Sequence, residues 1–188
     1  MNTKELESAL LLKSNGMFDE ALRALEPLCS SGQHALACWH LAEMYENGLG
    51  VEQDQLTARS LFEKAARSGD PWFRHSFGRY LERTNDRKAA FEVIEENAGL
   101  GFIPSVFRLG VYFENGVGTE KDVEKGRILI LRAESEGHVF AARHRAGKRL
   151  RGEEGLLMRP IGLLRILYIA LKTISIGRND PWDPRLVN

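Results

Sequence analysis

The amino-acid sequence predicts an all-α protein, a solenoid of about five helix-turn-helix repeats, and three observations carry that prediction. The first is an internal repeat. The stretch Leu41 to Asp54, LAEMYENGLGVEQD, returns 68 positions later as LGVYFENGVGTEKD, from Leu109 to Asp122; this offset is two units, and a period of roughly 20–50 residues marks stacked structural units. The second is apolar spacing of helical period inside each copy. Ala37, Leu41, Ala42 and Tyr45 make one stripe, Leu61, Phe62, Ala65 and Ala66 make the next, and the turn residues Asn47, Gly48 and Gly50 separate them. The third is a recurrent small residue, Ala42, Gly78, Gly110 and Gly147, at one position of the first helix, where a bulkier side chain would hold neighbouring helices apart.

The elements follow in chain order. Residues 1–32 read as an additional opening hairpin, with one helix over Leu6 to Leu12 and a second whose run FDEALRALEP, from Phe18 to Pro27, resembles the second helix of a tetratricopeptide unit. Residues 33–152 hold the repeats. At the offset of 68, Ala65 matches Ala133 and Gly69 matches Gly137, so the unit continues through a second helix to a terminal glycine. An intermediate copy lies between the two: Phe77-Gly78 falls 36 residues after Leu41-Ala42, while Ala90, Ile94, Ala98 and Gly101 follow Ala58, Phe62, Ala66 and Gly69 by 32. That copy has lost four residues, and its loop, ERTNDRK, lacks the two glycines. A fourth copy keeps Ala146-Gly147 but has RGEEG as its loop. Residues 153–178 form an apolar, basic helix that completes or caps the array. Residues 179–188 contain two prolines, which end the helix near Gly177 and leave an extended tail.

These residues resemble the Sel-one-like repeat family, relatives of the tetratricopeptide repeats with a longer, glycine-containing loop. The family pattern is met by Leu41-Ala42, Tyr45, Asn47 to Gly50, Asp54 and Ala65 to Gly69, and again by Leu109-Gly110, Phe113, Asn115 to Gly118, Asp122, Ala133 and Gly137. The resemblance implies a right-handed α-solenoid whose concave surface binds other proteins. It implies a non-enzymatic adaptor without a cofactor, of a kind that serves signalling, membrane-protein quality control or bacterial envelope and exopolysaccharide assembly.

Composition narrows the classes. The chain has 188 residues, 43% hydrophobic and 28% charged, which excludes disorder throughout. Lys and Arg equal Asp and Glu at 26 each, so bulk charge does not make it a polyanion binder. The charge is uneven: from Val139 to Arg178 nine basic residues stand against Glu153 and Glu154. Cys29 and Cys38 are too few for a disulfide-stapled framework and read as buried small residues in a reducing compartment. The opening residues carry Glu5 and Glu7 and no signal-type apolar run, so the expected location is cytoplasmic or peripheral at an inner membrane.

The search for chemistry predicts no catalytic and no metal-binding residues. Gly48, Gly50, Gly116 and Gly118 recur at one repeat position with no Lys-Ser or Lys-Thr after them, which makes them turn residues rather than a phosphate cradle. His34 and His40, like His138 and His144, are six residues apart, and that spacing points the rings to different helix faces. A Cys29–His34 nucleophile has no orienting third group, and Glu95-Glu96 and Glu153-Glu154 read as solvated pairs. With Leu41, Ala42 and Tyr45 facing inward, Trp39, His40 and Glu43 fall on the far side of the first helix. Their counterparts supply His75, Arg79, Phe107, Arg108, Arg145 and Lys148 as a partner-binding set. Trp39 and Phe107 have packing against the next hairpin as the alternative role, and Trp72 and Phe73 are assigned to packing.

On the helix from Val139 to Arg151, Val139, Ala142, Ala146 and Leu150 are expected to be buried, with Arg145, Lys148, Arg149 and Arg151 forming a positive face. Nucleic acid does not fit it, because aromatic interleaving is missing. From Ile161 to Ile176, eleven of sixteen residues are Ile, Leu, Ala or Tyr. Sixteen residues rise roughly 24 Å, short of a bilayer core of about 30 Å. The helix is therefore interfacial, a docking element for a partner or second copy, or core. Arg159, Arg165, Tyr168, Lys172 and Trp182 are the docking residues of the first two readings. The functional expectation is a scaffold for protein partners, tethered to an anionic membrane or an integral membrane protein; the alternative is a soluble signalling or chaperone-like module, with homo-oligomerisation through the last helix.

Overall fold

A computed structural model describes residues 3–32, 34–153 and 158–179, with the side chains of the last helix described as far as Ile174. Among the described residues there are ten helices and no strand: α1 (Thr3–Ser14), α2 (Phe18–Ser30), α3 (Ala35–Asn47), α4 (Gln55–Ala66), α5 (Pro71–Arg83), α6 (Arg87–Gly99), α7 (Ile103–Asn115), α8 (Val123–Ser135), α9 (Val139–Arg151) and α10 (Arg159–Asn179). The all-α class and the predicted order of five helix pairs are both present. The chain divides into two units, Met1–Asp86 and Arg87–Asn188. The division falls inside the shortened loop, where Asn85 adopts φ 65° in place of the glycines of the other copies.

In the first unit, α1 to α5 pack in chain order, each mainly on its sequence neighbours; α6 to α10 do the same in the second. Such packing makes each hairpin depend on the ones beside it. The first unit's core joins Leu6 and Ala9 of α1, Leu25 and Leu28 of α2, Leu41 and Met44 of α3 and Ala65 of α4. The second unit buries Val106, Tyr112, Ile130 and Ala133 in α7 and α8, and Val139, Ala142, Ala146 and Ile169 between α9 and α10.

Sequence chemistry sets the helix limits. Asp54 caps α4 by accepting from the Leu56 and Thr57 amides at 2.9 and 3.1 Å, and Asp122 caps α8 by accepting from Lys125 N at 2.9 Å. Gly50 and Gly118, 68 residues apart, do more than turn the chain. A Cβ on Gly50 would lie 2.6 Å from Phe18 Cβ, and one on Gly118 would collide with the Arg87 carbonyl and Phe91 Cβ. Each repeat loop thus seats on the start of the helix that closes the preceding hairpin.

Within hairpins the tightest approach is glycine on glycine. A Cβ on Gly110 in α7 would meet Gly126 O at 2.9 Å and Ile130 Cγ1 at 2.7 Å; one on Gly126 in α8 would meet Gly110 O at 2.6 Å. The last hairpin repeats this contact one period on, where a Cβ on Gly162 in α10 would meet Ala146 O at 2.8 Å. Ala146 is fully buried, while a Cβ on Gly147 would meet only Arg151 Nη1, at 3.3 Å. The recurrent small position in the fourth copy is therefore Ala146 rather than Gly147. The repeat register there is shifted by one residue from the sequence expectation.

Two further expectations are corrected. Cys29 at the end of α2 and Cys38 in α3 are joined in a disulfide, their Cα atoms 4.7 Å apart. The turn between the two helices brings the buried thiols together, and the case for a reducing compartment loses its support. Helix α10 continues to Asn179, beyond the end predicted near Gly177, and Trp182 lies outside the described residues.

The disulfide closes a short loop, for which chain-entropy reasoning gives roughly 2–3 kcal/mol of stabilisation. Reduction should lower the melting temperature by roughly 5–10 °C, and alkylation of the unreduced, denatured chain should add no label. Labelling of both cysteines before reduction would show them free.

Candidate functional site

The side of the first helices that the sequence assigned to partner binding carries a chain of polar contacts within each unit. In the first unit, Lys13 of α1 donates to Glu43 Oε2 of α3 at 2.6 Å and lies 2.9 Å from His40 Nδ1, which is itself 3.2 Å from Glu43 Oε2. Further along α3, Glu46 accepts from Arg83 of α5, whose Nη2 is 2.9 Å from Oε1 and 3.0 Å from Oε2. Three first helices, α1, α3 and α5, are thereby cross-linked along one face.

Aromatic rings lie beside this network. Trp39 and Trp72 are both half-buried and meet edge to face at 4.9 Å; Trp72 makes the same contact with Phe73 at 5.2 Å. Lys13 Nζ stands 5.9 Å from the Trp39 ring. Trp39 therefore packs on the core, one of the two roles weighed for it, and stays half-buried.

In the second unit the corresponding carboxylate, Glu114, is 68 residues beyond Glu46 and nearly buried, at 7% side-chain exposure. It lies 2.8 Å from His144 Nε2 and accepts from Lys148 Nζ at 2.7 Å, both on α9. Glu134 of α8 pairs with Arg145 and, at 3.2 Å, with Arg165 of α10. Arg151 pairs with Glu153 at 2.5 Å. The positive face expected on α9 is consequently compensated by acids from α7, α8 and its own C-terminal loop.

His75 and Phe107 are corrected from binding to packing. His75 is 1% exposed, and Phe107, at 4%, stacks near His138 at 5.0 Å. Arg79 and Arg108 are half-buried, and Arg79 lies 3.7 Å from Glu82. His138 is buried as the N-cap of α9, its Nδ1 accepting from Ala141 N at 3.2 Å, so it does not converge with His144. Arg159, Arg165, Tyr168 and Lys172 are exposed on α10. Sequence reasoning missed Lys13, Glu46 and Glu114; the signal for the last two was the E-N-G shared by the two long loops. Among the described residues, no three His, Cys, Asp or Glu side chains gather as metal ligands.

With this geometry in place, comparison with known proteins is informative. The family model of the Sel1 repeat matches residues 35–70 and 103–138. Sel1 repeats are present at two sites in this chain. The matched segments are α3–α4 and α7–α8, the two hairpins with long glycine loops. Among solved structures, a Sel1 repeat protein from Oxalobacter formigenes is 22% identical, with a TM-score of 0.64 over 82% of this chain and 64% of that one. A protective antigen of uropathogenic Escherichia coli with an SLR fold is 20% identical, with a TM-score of 0.62 over 85% of this chain and 35% of that one. The fold is the all-α solenoid these proteins share, and the chain spans less than two thirds of either relative's length. No curated protein matches the sequence.

Burial pushes the Glu43 carboxyl up, but hydrogen bonds from His40 and Lys13 outweigh it and hold the carboxyl below its ordinary range. A depressed carboxylate contributes stability above its unfolded-state value and loses it as pH falls through the folded-state value. Glu43→Gln should cost about 1 kcal/mol at neutral pH, and the gap from wild type should close in acid. Denaturant melts at neutral and acid pH check this; an unchanging gap contradicts it.

Proposed function

We propose that the chain is a non-enzymatic scaffold that binds protein partners along the faces of its first helices. The observation carrying this reading is the cross-linked face of α1, α3 and α5. Ion pairs hold Lys13, His40 and Glu43 beside the Trp39 ring, against which Trp72 packs edge to face, so little side-chain freedom would be lost when a partner docks. Half-exposed tryptophans next to charged groups are the residue types that dominate measured binding energies. In the second unit, His144, Lys148 and Arg145 offer a polar surface with its charges already placed.

The Cys29–Cys38 disulfide and the bacterial sources of the two related structures support a setting in a bacterial envelope, where disulfides persist. Tethering to an anionic membrane, the finer expectation from the sequence, has the exposed apolar side of α10 in its favour. One of that helix's cations, Arg165, is instead held by Glu134. No described helix is long and apolar enough to cross a membrane. The scaffold reading does not require a lipid surface.

A photo-crosslinking residue placed at Arg79, on the first-helix face, should yield discrete protein adducts in cells. The same residue at Leu56, which is 82% exposed on α4, should yield none. Equal labelling from both positions, or no adduct from Arg79, would overturn the reading.

A further inference from the structure

Helix α10 leaves much of its apolar surface uncovered. Gly162, Ile166, Ile169 and Thr173 turn toward α9, and Gly162 and Ile169 are buried. On the opposite side Leu164 is 68% exposed, Leu167 57%, Leu171 70% and Ile174 62%. These four residues are separated by three, four and three positions, the spacing of two consecutive a and d pairs in a coiled-coil seam. Leu163, also exposed, extends the arc on one side and Tyr168 on the other.

We propose that this arc is the interface for a second copy of the chain. Three features select that occupant. A seam with a and d residues at regular spacing is self-complementary: its knobs fit the holes of an identical helix across a two-fold axis. The area is sufficient, since the exposed large side chains from Ile161 to Ile174 present on the order of 700 Å² per copy, near the roughly 800 Å² each partner contributes to a standard interface. Charge also fits. Leu164, Leu167, Leu171 and Ile174 carry no charge, so two copies meet along the seam without like-charge repulsion.

Arg165 and Lys172 lie roughly 40–60° beyond the Tyr168 edge of the arc, and roughly 130° from the middle of the seam, at 100° per residue. An interfacial membrane helix would carry its cations along the borders of the apolar arc, where they reach lipid headgroups. Here Arg165 instead reaches Glu134 at 3.2 Å. Beside the seam, a groove of about 360 Å³ between α9 and α10, lined in part by Phe140, Ala170, Thr173 and Ile174, leaves room for side chains of the second copy. The inference stands apart from the scaffold reading, which concerns other helices.

The test is the molar mass of the full chain by light scattering and sedimentation across a concentration series, with Leu167→Glu/Leu171→Glu and, on the exposed side of α6, Glu95→Lys variants. Wild type should move from one copy to two, the double variant should associate at least tenfold more weakly, and Glu95→Lys should match wild type. A wild type that stays monomeric at all concentrations overturns the proposal. So does a dimer that survives the double variant, or a monomer that floats with phosphatidylglycerol-containing vesicles. Should the double variant unfold, Leu167→Cys and Glu95→Cys chains treated with a short bis-maleimide decide the matter. Cross-linked dimer from Leu167→Cys alone supports the seam; equal yield from both, or none from either, refutes it.

Discussion

The close crossing of two helices at paired small residues is the constraint on which the structure rests. Gly110 and Gly126 sit so near each other's carbonyls that neither could carry a methyl group without a shift. The Ala146 and Gly162 contact repeats the arrangement in the last hairpin, and Ala42 and Ala58 occupy the matching positions of the first Sel1 repeat, both fully buried. Glycine inside a helix sacrifices about 0.5–1 kcal/mol relative to alanine through backbone entropy. Its use at a crossing is intelligible only if contact along the two helices more than offsets that loss.

From this approach the remaining architecture follows. Narrow hairpins need loops that leave one helix and enter the next without splaying, and the left-handed glycines with the Asp54 and Asp122 caps meet that need. Hairpins of this kind expose a first-helix face where residues of successive repeats come within side-chain reach. Glu46 and Glu114, at one repeat position, both use that reach to bind cations from the next first helix. The face considered for partner binding is therefore a product of the same periodicity that builds the core.

Most of the fold was legible because periodicity is a property of one sequence read against itself. The helix pairs, the shortened second loop and the turn glycines all appear as offsets of 68, 36 or 32. The fourth copy shows where this fails: Ala146 and Gly147 are both small, and only the position of Gly162 selects between them. Gly126 and Gly162 were overlooked because each acquires meaning from a partner sixteen residues earlier, across a loop. The candidate site was less legible for the same reason. Lys13, Glu46 and Glu114 act between repeats, His75 and Phe107 are covered by neighbours that their own helix does not reveal, and the Cys29–Cys38 bond depends on how the α2–α3 turn closes.

The sign of a single substitution tests the central constraint. Gly99 is helical with nothing near the place a Cβ would occupy, whereas a Cβ on Gly126 would meet Gly110 O and Glu114 Cγ, each at 2.6 Å. In thermal and denaturant unfolding, Gly99→Ala should hold or raise stability by up to about 1 kcal/mol, and Gly126→Ala should lower it by about 1–3 kcal/mol. A Gly126→Ala protein as stable as Gly99→Ala, or more so, would contradict the claim that close helix crossing governs this fold.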